Sequence, residues 1–152
     1  MANVFRDNGS TGRVKVPWNG EMGIDGTEHV YAIAHATLTN KTSYRIGCDE
    51  YGYLTAAITG NTSRVFRVGV ATAATTTGNV AKLIVRGYVS SMVTPSLSMA
   101  VGEALVITAG AIADGAADFG DLVTQFAICT TATTTKTHCS CLLLGKYITA
   151  SG

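Results

Sequence analysis

His138-Cys139-Ser140-Cys141 is the one cluster in this 152-residue chain whose residue types resemble a metal site. On a strand, successive side chains point to opposite faces, so Cys139 and Cys141 share a face while His138 takes the other. A structural zinc site ordinarily pairs one cysteine knuckle with a second ligand pair, and no second pair is present. Cys129 comes to lie across from Cys139 if residues 130–138 form a hairpin loop, which would permit a cross-strand disulfide. The four cysteines (Cys48, Cys129, Cys139 and Cys141) are too few for a disulfide scaffold at this length. Reduced, buried thiols are therefore the first reading, a disulfide the second and a metal the third. No cofactor and no metal are expected.

The remaining reactive residues do not assemble a catalytic set. His29, His35 and His138 stand in no nucleophile motif, and the chain contains no Gly-x-Ser-x-Gly elbow. Asp114, Asp118 and Asp121 lie in a Gly/Ala-rich stretch that invites a calcium reading, but the EF-hand spacing and its closing glutamate are missing. A solvated loop is the simpler account. Asn8-Gly-Ser, Asn40-Lys-Thr and Asn61-Thr-Ser match the glycosylation pattern and are expected by chance in so Thr- and Asn-rich a chain. Arg67 and Arg86 interrupt apolar runs. Each is either an exposed arginine on a strand face or an interface residue, since the planar guanidinium forms bidentate bonds and its stem packs on apolar surface. The chain is not expected to be an enzyme.

These residues must be held by something other than charge. Hydrophobic residues make up 47% of the chain and charged residues only 14%, against roughly 25% charged in ordinary soluble domains. Such a composition excludes disorder. It leaves either a surface covered by copies of itself or a partner, or a neutral, threonine-rich surface. A net charge of +1 gives no electrostatic basis for nucleic-acid binding. No apolar run approaches the roughly 20 residues of a membrane span. The first residues lack the basic-then-apolar order of a signal peptide, so the chain is expected to act where it is made, or inside a particle assembled there.

Residues 1–27 are rich in Gly and Asn and hold Pro17, which predicts an extended N-terminal arm with a short strand near Val14. Phe5, Val14, Val16 and Trp18 are its apolar anchors and its candidate partner-binding residues. From residue 28 to 152 a single β domain is expected. In His29–Leu38, Val30, Ala32, Ala34, Ala36 and Leu38 form one apolar face by period-two alternation. Further strands are expected over Ser43–Cys48, Tyr51–Thr59, Arg64–Ala71, Lys82–Val93, Ala104–Thr108, Leu122–Thr130 and Thr137–Thr149. Turn-prone pieces separate them, including Thr77-Gly-Asn, Thr94-Pro-Ser, Ala109-Gly and Asp114–Asp121. The fold class is all-β: an antiparallel β-barrel or β-sandwich of about eight short strands. Gly69, Gly87 and Gly102 are expected at bends or points of close packing.

The order Val65-Phe-Arg-Val-Gly-Val-Ala-Thr-Ala-Ala, then Ala81-Lys-Leu-Ile-Val-Arg-Gly-Tyr-Val, then Val101-Gly-Glu-Ala-Leu-Val-Ile-Thr-Ala-Gly-Ala-Ile, closed by Cys141-Leu-Leu-Leu-Gly-Lys-Tyr-Ile, resembles tailed-bacteriophage capsid decoration (cement) proteins. The resemblance covers residues 63–149. It implies a small β-barrel or sandwich, often trimeric, seated outside an icosahedral shell and clamping neighbouring major capsid subunits. It carries over no catalytic residues. The expected partners are the major capsid protein and copies of the same chain, as a homotrimer or other homo-oligomer, with Arg67 and Arg86 as candidate contacts beside the arm. The expected location is the capsid surface of a virion. The alternatives are a phage tail, baseplate or fibre component, or a carbohydrate-binding β-sandwich. A single Trp and six scattered Tyr offer the latter no stacking strip.

Overall fold

The computed structural model describes residues 21–22, 26–57, 65–108, 111–114 and 125–149. These form β1 (Glu21–Met22), β2 (Glu28–Ala34), β3 (Ser43–Cys48), β4 (Leu54–Ala57), β5 (Val65–Ala71), β6 (Val80–Met99), β7 (Ala104–Thr108), β8 (Ala111–Asp114), β9 (Gln125–Cys129), β10 (Thr133–Leu144) and β11 (Tyr147–Thr149). The protein is all-β, with more strands than the sequence suggests and one of 20 residues. Nearly every pairing is antiparallel; β2 and β4 run parallel, joined at Ile33↔Thr55 and Ala34↔Ala56.

Strands β2, β4, β3, β5 and β6 close on themselves, because β6 returns to pair with β2 from Glu28↔Arg86 to Ile33↔Val80. The closed barrel has no free sheet edge of its own. Its interior mixes small and large side chains: Ala32, Ala34, Ala56, Ala71 and Ala81 beside Val30, Tyr44, Ile46, Leu83 and Val85. Five strands enclose little volume, and alternating alanine with branched residues fills it. A Cβ at Gly69 would lie 2.5 Å from Ile46 Cδ1 and 3.1 Å from Leu83 Cβ, so a hydrogen is what the interior accommodates there. The buried Tyr44 hydroxyl accepts the Thr39 N–H at 2.6 Å. Past the end of β2, Leu38 is buried in the same core and tied by reciprocal backbone bonds to Thr75, 2.8 and 3.0 Å long.

A second core lies outside the barrel. Phe66, Val68 and Val70 project from the other face of β5 and meet Val89, Met92, Leu105, Phe126, Leu143 and Ile148. Apart from Ile148, which lies on β11 beside β5, these are carried by a sheet that runs β6-β10-β9-β7-β8. Strand β6 serves both units. It gives Ala81, Leu83 and Val85 to the barrel and Val89, Met92 and Met99 to the second core. The change of core falls at Gly87, whose φ of +106° only glycine adopts without strain. Its missing Cβ leaves room for Thr27, whose Cα would otherwise be 3.0 Å away. From Arg86 onward β10 pairs with β6. The chain then turns at Gly145 (φ +70°) and β11 pairs with β5.

Several expectations are corrected here. Thr94-Pro-Ser is not a turn: β6 runs through it to Met99. The ladder to β10 is irregular between Val93↔His138 and Leu97↔Lys136, so proline's missing N–H costs no regular ladder bond there. The strand expected from Tyr51 begins only at Leu54, since Asp49 Oδ1 accepts the N–H groups of Tyr51 (3.0 Å) and Tyr53 (2.9 Å) and curls the chain into a turn first; residues 58–59 lie outside the described residues. Asp114, expected to open a turn-prone piece, instead ends a strand, Ala111–Asp114, that pairs with β7. Within the stretch expected as an arm, Glu21–Met22 pair with β2 and Thr27 is buried. Residues 1–20, with Phe5, Val14, Val16 and Trp18, lie outside the described residues.

Candidate functional site

Arg67 is not an exposed strand-face residue. It pairs in register with Ile46, a barrel-interior residue, so it points to the same side. Both of its terminal nitrogens donate to Glu28 Oε1 at 3.2 Å, forming an ion pair with side chains 15% and 24% exposed. Its guanidinium lies 5.3 Å from the centre of the Tyr147 ring, a cation–π distance. Arg67 Nε is buried without a hydrogen-bond partner among the described residues. Val30 and Ala32 of β2 face the barrel core and Glu28 begins that strand. The ion pair therefore sits at one mouth of the apolar interior, and Leu38 lies past the opposite end of β2.

Arg86 does stay at the surface. Its stem lies along Gly145, where a Cβ would come within 2.9 Å of Arg86 Cβ. Arg67 lies on β5 and Arg86 on β6, where it is in register with Glu28, and no contact joins the two arginines among the described residues. His35, Arg45, Cys48, Asp49 and Phe66 line a groove of about 420 Å³ over the outside of β3 and β4. Asp49 is occupied by its turn and Arg45 stacks 5.9 Å from the Phe66 ring centre. No hydrogen bond joins His35 to Cys48 among the described residues.

The cysteines divide. Cys48 is exposed, against the expectation of a buried thiol, whereas Cys129, Cys139 and Cys141 are buried and free. Register places Cys129 directly opposite Cys141 rather than Cys139; the hairpin loop is tighter than residues 130–138, because β10 already begins at Thr133. Burial raises the Cys129 thiol, whereas the Cys141 thiol is raised first by the hydrogen bond it gives Cys139 and then by burial. That same bond lowers Cys139. No group of three or more metal-ligating side chains is arranged to hold an ion among the described residues. Of the three aspartates considered for calcium, Asp114 ends β8 opposite Leu105, while Asp118 and Asp121 lie outside the described residues.

One surface feature escapes the sequence reading. Tyr88 and Leu142 are cross-strand partners on the face of β6 and β10 away from the second core, 54% and 42% exposed. Leu142 continues to Ile128, and Ile128 to Ala104, both half-buried. The row runs across four strands. Its signal was available: Cys141-Leu142-Leu143 is apolar on both faces, and a strand with one face in the core has no internal need of a second.

This architecture is similar to a phage head-fibre base. The crystal structure of the head fiber gp8.5 N base of bacteriophage phi29 superposes with a TM-score of 0.50, over 79% of this chain and 96% of that one, at 11% sequence identity. At that identity the likeness is one of fold. No protein-family model and no curated protein matches the sequence. The all-β fold expected from the sequence, a barrel or sandwich of about eight strands, is observed as a closed five-strand barrel with additional strands.

Proposed function

We propose that this chain is a non-enzymatic structural protein of a bacteriophage virion, seated on the outer surface of the head, where it binds the major capsid protein and strengthens contacts between neighbouring capsid subunits. The observation that carries this reading is the likeness of fold, over 79% of this chain, to a protein described as a head-fibre base. Two features of the chain agree with it. The apolar row through Tyr88 and Leu142 supplies a surface suited to a partner. The low charge removes much of the desolvation cost of covering that surface. Repetition on a lattice multiplies a modest individual affinity, so no single contact has to be strong.

The test is to add the purified chain to heads of the encoding phage from which it has been removed, and to measure co-sedimentation and the temperature at which heads break. Binding with a raised disruption temperature is the expected result. Binding with no change in that temperature would instead make the chain a mount, as in a fibre base. Absence from heads would overturn the proposal. The double variant Tyr88→Ser, Leu142→Ser is expected to lose about tenfold or more in head affinity, because two apolar side chains together exceed the 1.4 kcal/mol of one decade.

A further inference from the structure

Three thiols and a thioether meet in the second core. Cys129 and Cys141 are direct partners across β9 and β10. The Cys129 N–H donates to the Glu103 carbonyl at 2.7 Å and its own carbonyl accepts from Gly102 at 2.8 Å, so its backbone bonds turn toward β7. The bond of the β9–β10 ladder falls on the next pair, Thr130 N–H to the Ser140 carbonyl at 2.9 Å. Cys129 and Cys141 are thus a non-hydrogen-bonded pair, the kind in which Cα atoms approach to about 4.5 Å and side chains lie nearest. A disulfide spans Cα separations of roughly 4.4–6.8 Å. The bridge is possible, and at the short, strained end of its range.

The two thiols are held in place by weak bonds. Cys129 Sγ donates to the Thr131 carbonyl at 3.0 Å, and Cys141 Sγ lies 3.8 Å from Met92 Sδ. Both are buried completely. Cys139 is placed differently: buried on the same core, in thiol contact with both neighbours, it also lines a surface pocket of about 230 Å³ beside Ser91, Thr131, His138 and Ser140. Of the three clustered thiols, it is the one that borders this pocket.

We propose that Cys129 and Cys141 are a thiol–disulfide modification site, loaded from solution through Cys139. The Cys139 thiolate attacks one sulfur of a small disulfide such as glutathione disulfide, forming a mixed disulfide and releasing one glutathione thiolate. Cys141 then displaces the second glutathione, and Cys129 takes over the sulfur of Cys141, returning Cys139 to a thiol. The two hydrogens lost from Cys129 and Cys141 end on two glutathione molecules, so the exchange balances. The thiol hydrogen bond from Cys141 that lowers Cys139 favours the reactive thiolate at this position. Strain keeps the product reducible. If the chain is carried on a virion, as proposed above, it passes from a reducing cytoplasm to oxidising surroundings on release. The chemistry itself does not depend on that reading.

The experiment treats the folded full chain with glutathione disulfide, counts free thiols over time and maps bridges by mass spectrometry of peptides cut without reduction. Two thiols are expected to disappear, with Cys129 linked to Cys141. Cys139→Ser is expected to reach the same product about tenfold more slowly, and Cys48→Ser at an unchanged rate. Thermal melting establishes that each variant is folded, with Cys139→Ala in reserve should the serine chain unfold. The proposal is overturned if the buried thiols stay unmodified while Cys48 reacts, if the final bridge contains Cys139, or if the bridge forms only in denaturant. Head binding is measured separately, so its failure leaves this result standing and the reverse.

Discussion

Arg67 shows how one residue type can read alike in sequence and differ in structure. It and Arg86 both interrupt apolar strands, and alternation alone cannot separate them because both faces of β5 are covered, by the barrel on one side and the second core on the other. The consequence is unequal. Arg67→Ala removes both charge-assisted bonds to Glu28 and the stacking on Tyr147, and is expected to cost about 2 kcal/mol of unfolding free energy, discounted because neither partner is fully buried. Arg86→Ala, at the surface, is expected to change stability by less than about 0.5 kcal/mol. Urea unfolding of the two variants beside the parent measures the difference. The same limit applies to the cysteines. The sequence shows that Cys139 and Cys141 share a face, but which of them meets Cys129 depends on the turn between β9 and β10, where a slip of two residues leaves every facing relation intact.

Among the elements, β6 repays the closest attention. Its first half was legible because Ala81, Leu83 and Val85 alternate cleanly against Lys82, Ile84 and Arg86. Its second half was not, since Pro95 ordinarily ends a strand and here falls where the ladder is already irregular. Strands β2, β3 and β5 were readable for the same local reason as the first half of β6. The closure of the barrel and the parallel β2–β4 contact were not, because they join segments whose own patterns say nothing of their neighbours. Two glycines separate packing from backbone geometry. Gly69→Ala is expected to cost about 1–3 kcal/mol by overpacking, with the flexible end of Ile46 able to yield. Gly87→Ala is expected to cost about 3 kcal/mol or more, since it combines a forbidden φ with an approach to the rigid Cα of Thr27. Chemical denaturation of both variants, read for midpoint and slope, tests the ranking.

For the whole molecule, the buried thiols make stability depend on alkaline pH. Folding raises Cys129 and Cys141 above the ordinary thiol value of 9.0, so the folded chain keeps protons that the unfolded chain releases. Their contribution is complete below that value and is lost as pH climbs beyond it. Cys139, lowered by its hydrogen bond with Cys141, acts in the opposite sense, but burial pushes all three thiols up. Unfolding free energy is expected to fall as pH rises past 9.0. The fall should shrink in a Cys129→Ser, Cys141→Ser chain, which separates the thiols from tyrosines and lysines titrating nearby. The division into two cores bears on a different property. Because one uninterrupted strand belongs to both, a pull on the second sheet passes into the barrel along β6 itself, with its flanking ladders loaded in shear and no slack linker between. Tension arriving at one unit is borne by the other as well, so the molecule behaves as a single stiff strut and would yield to force in one event.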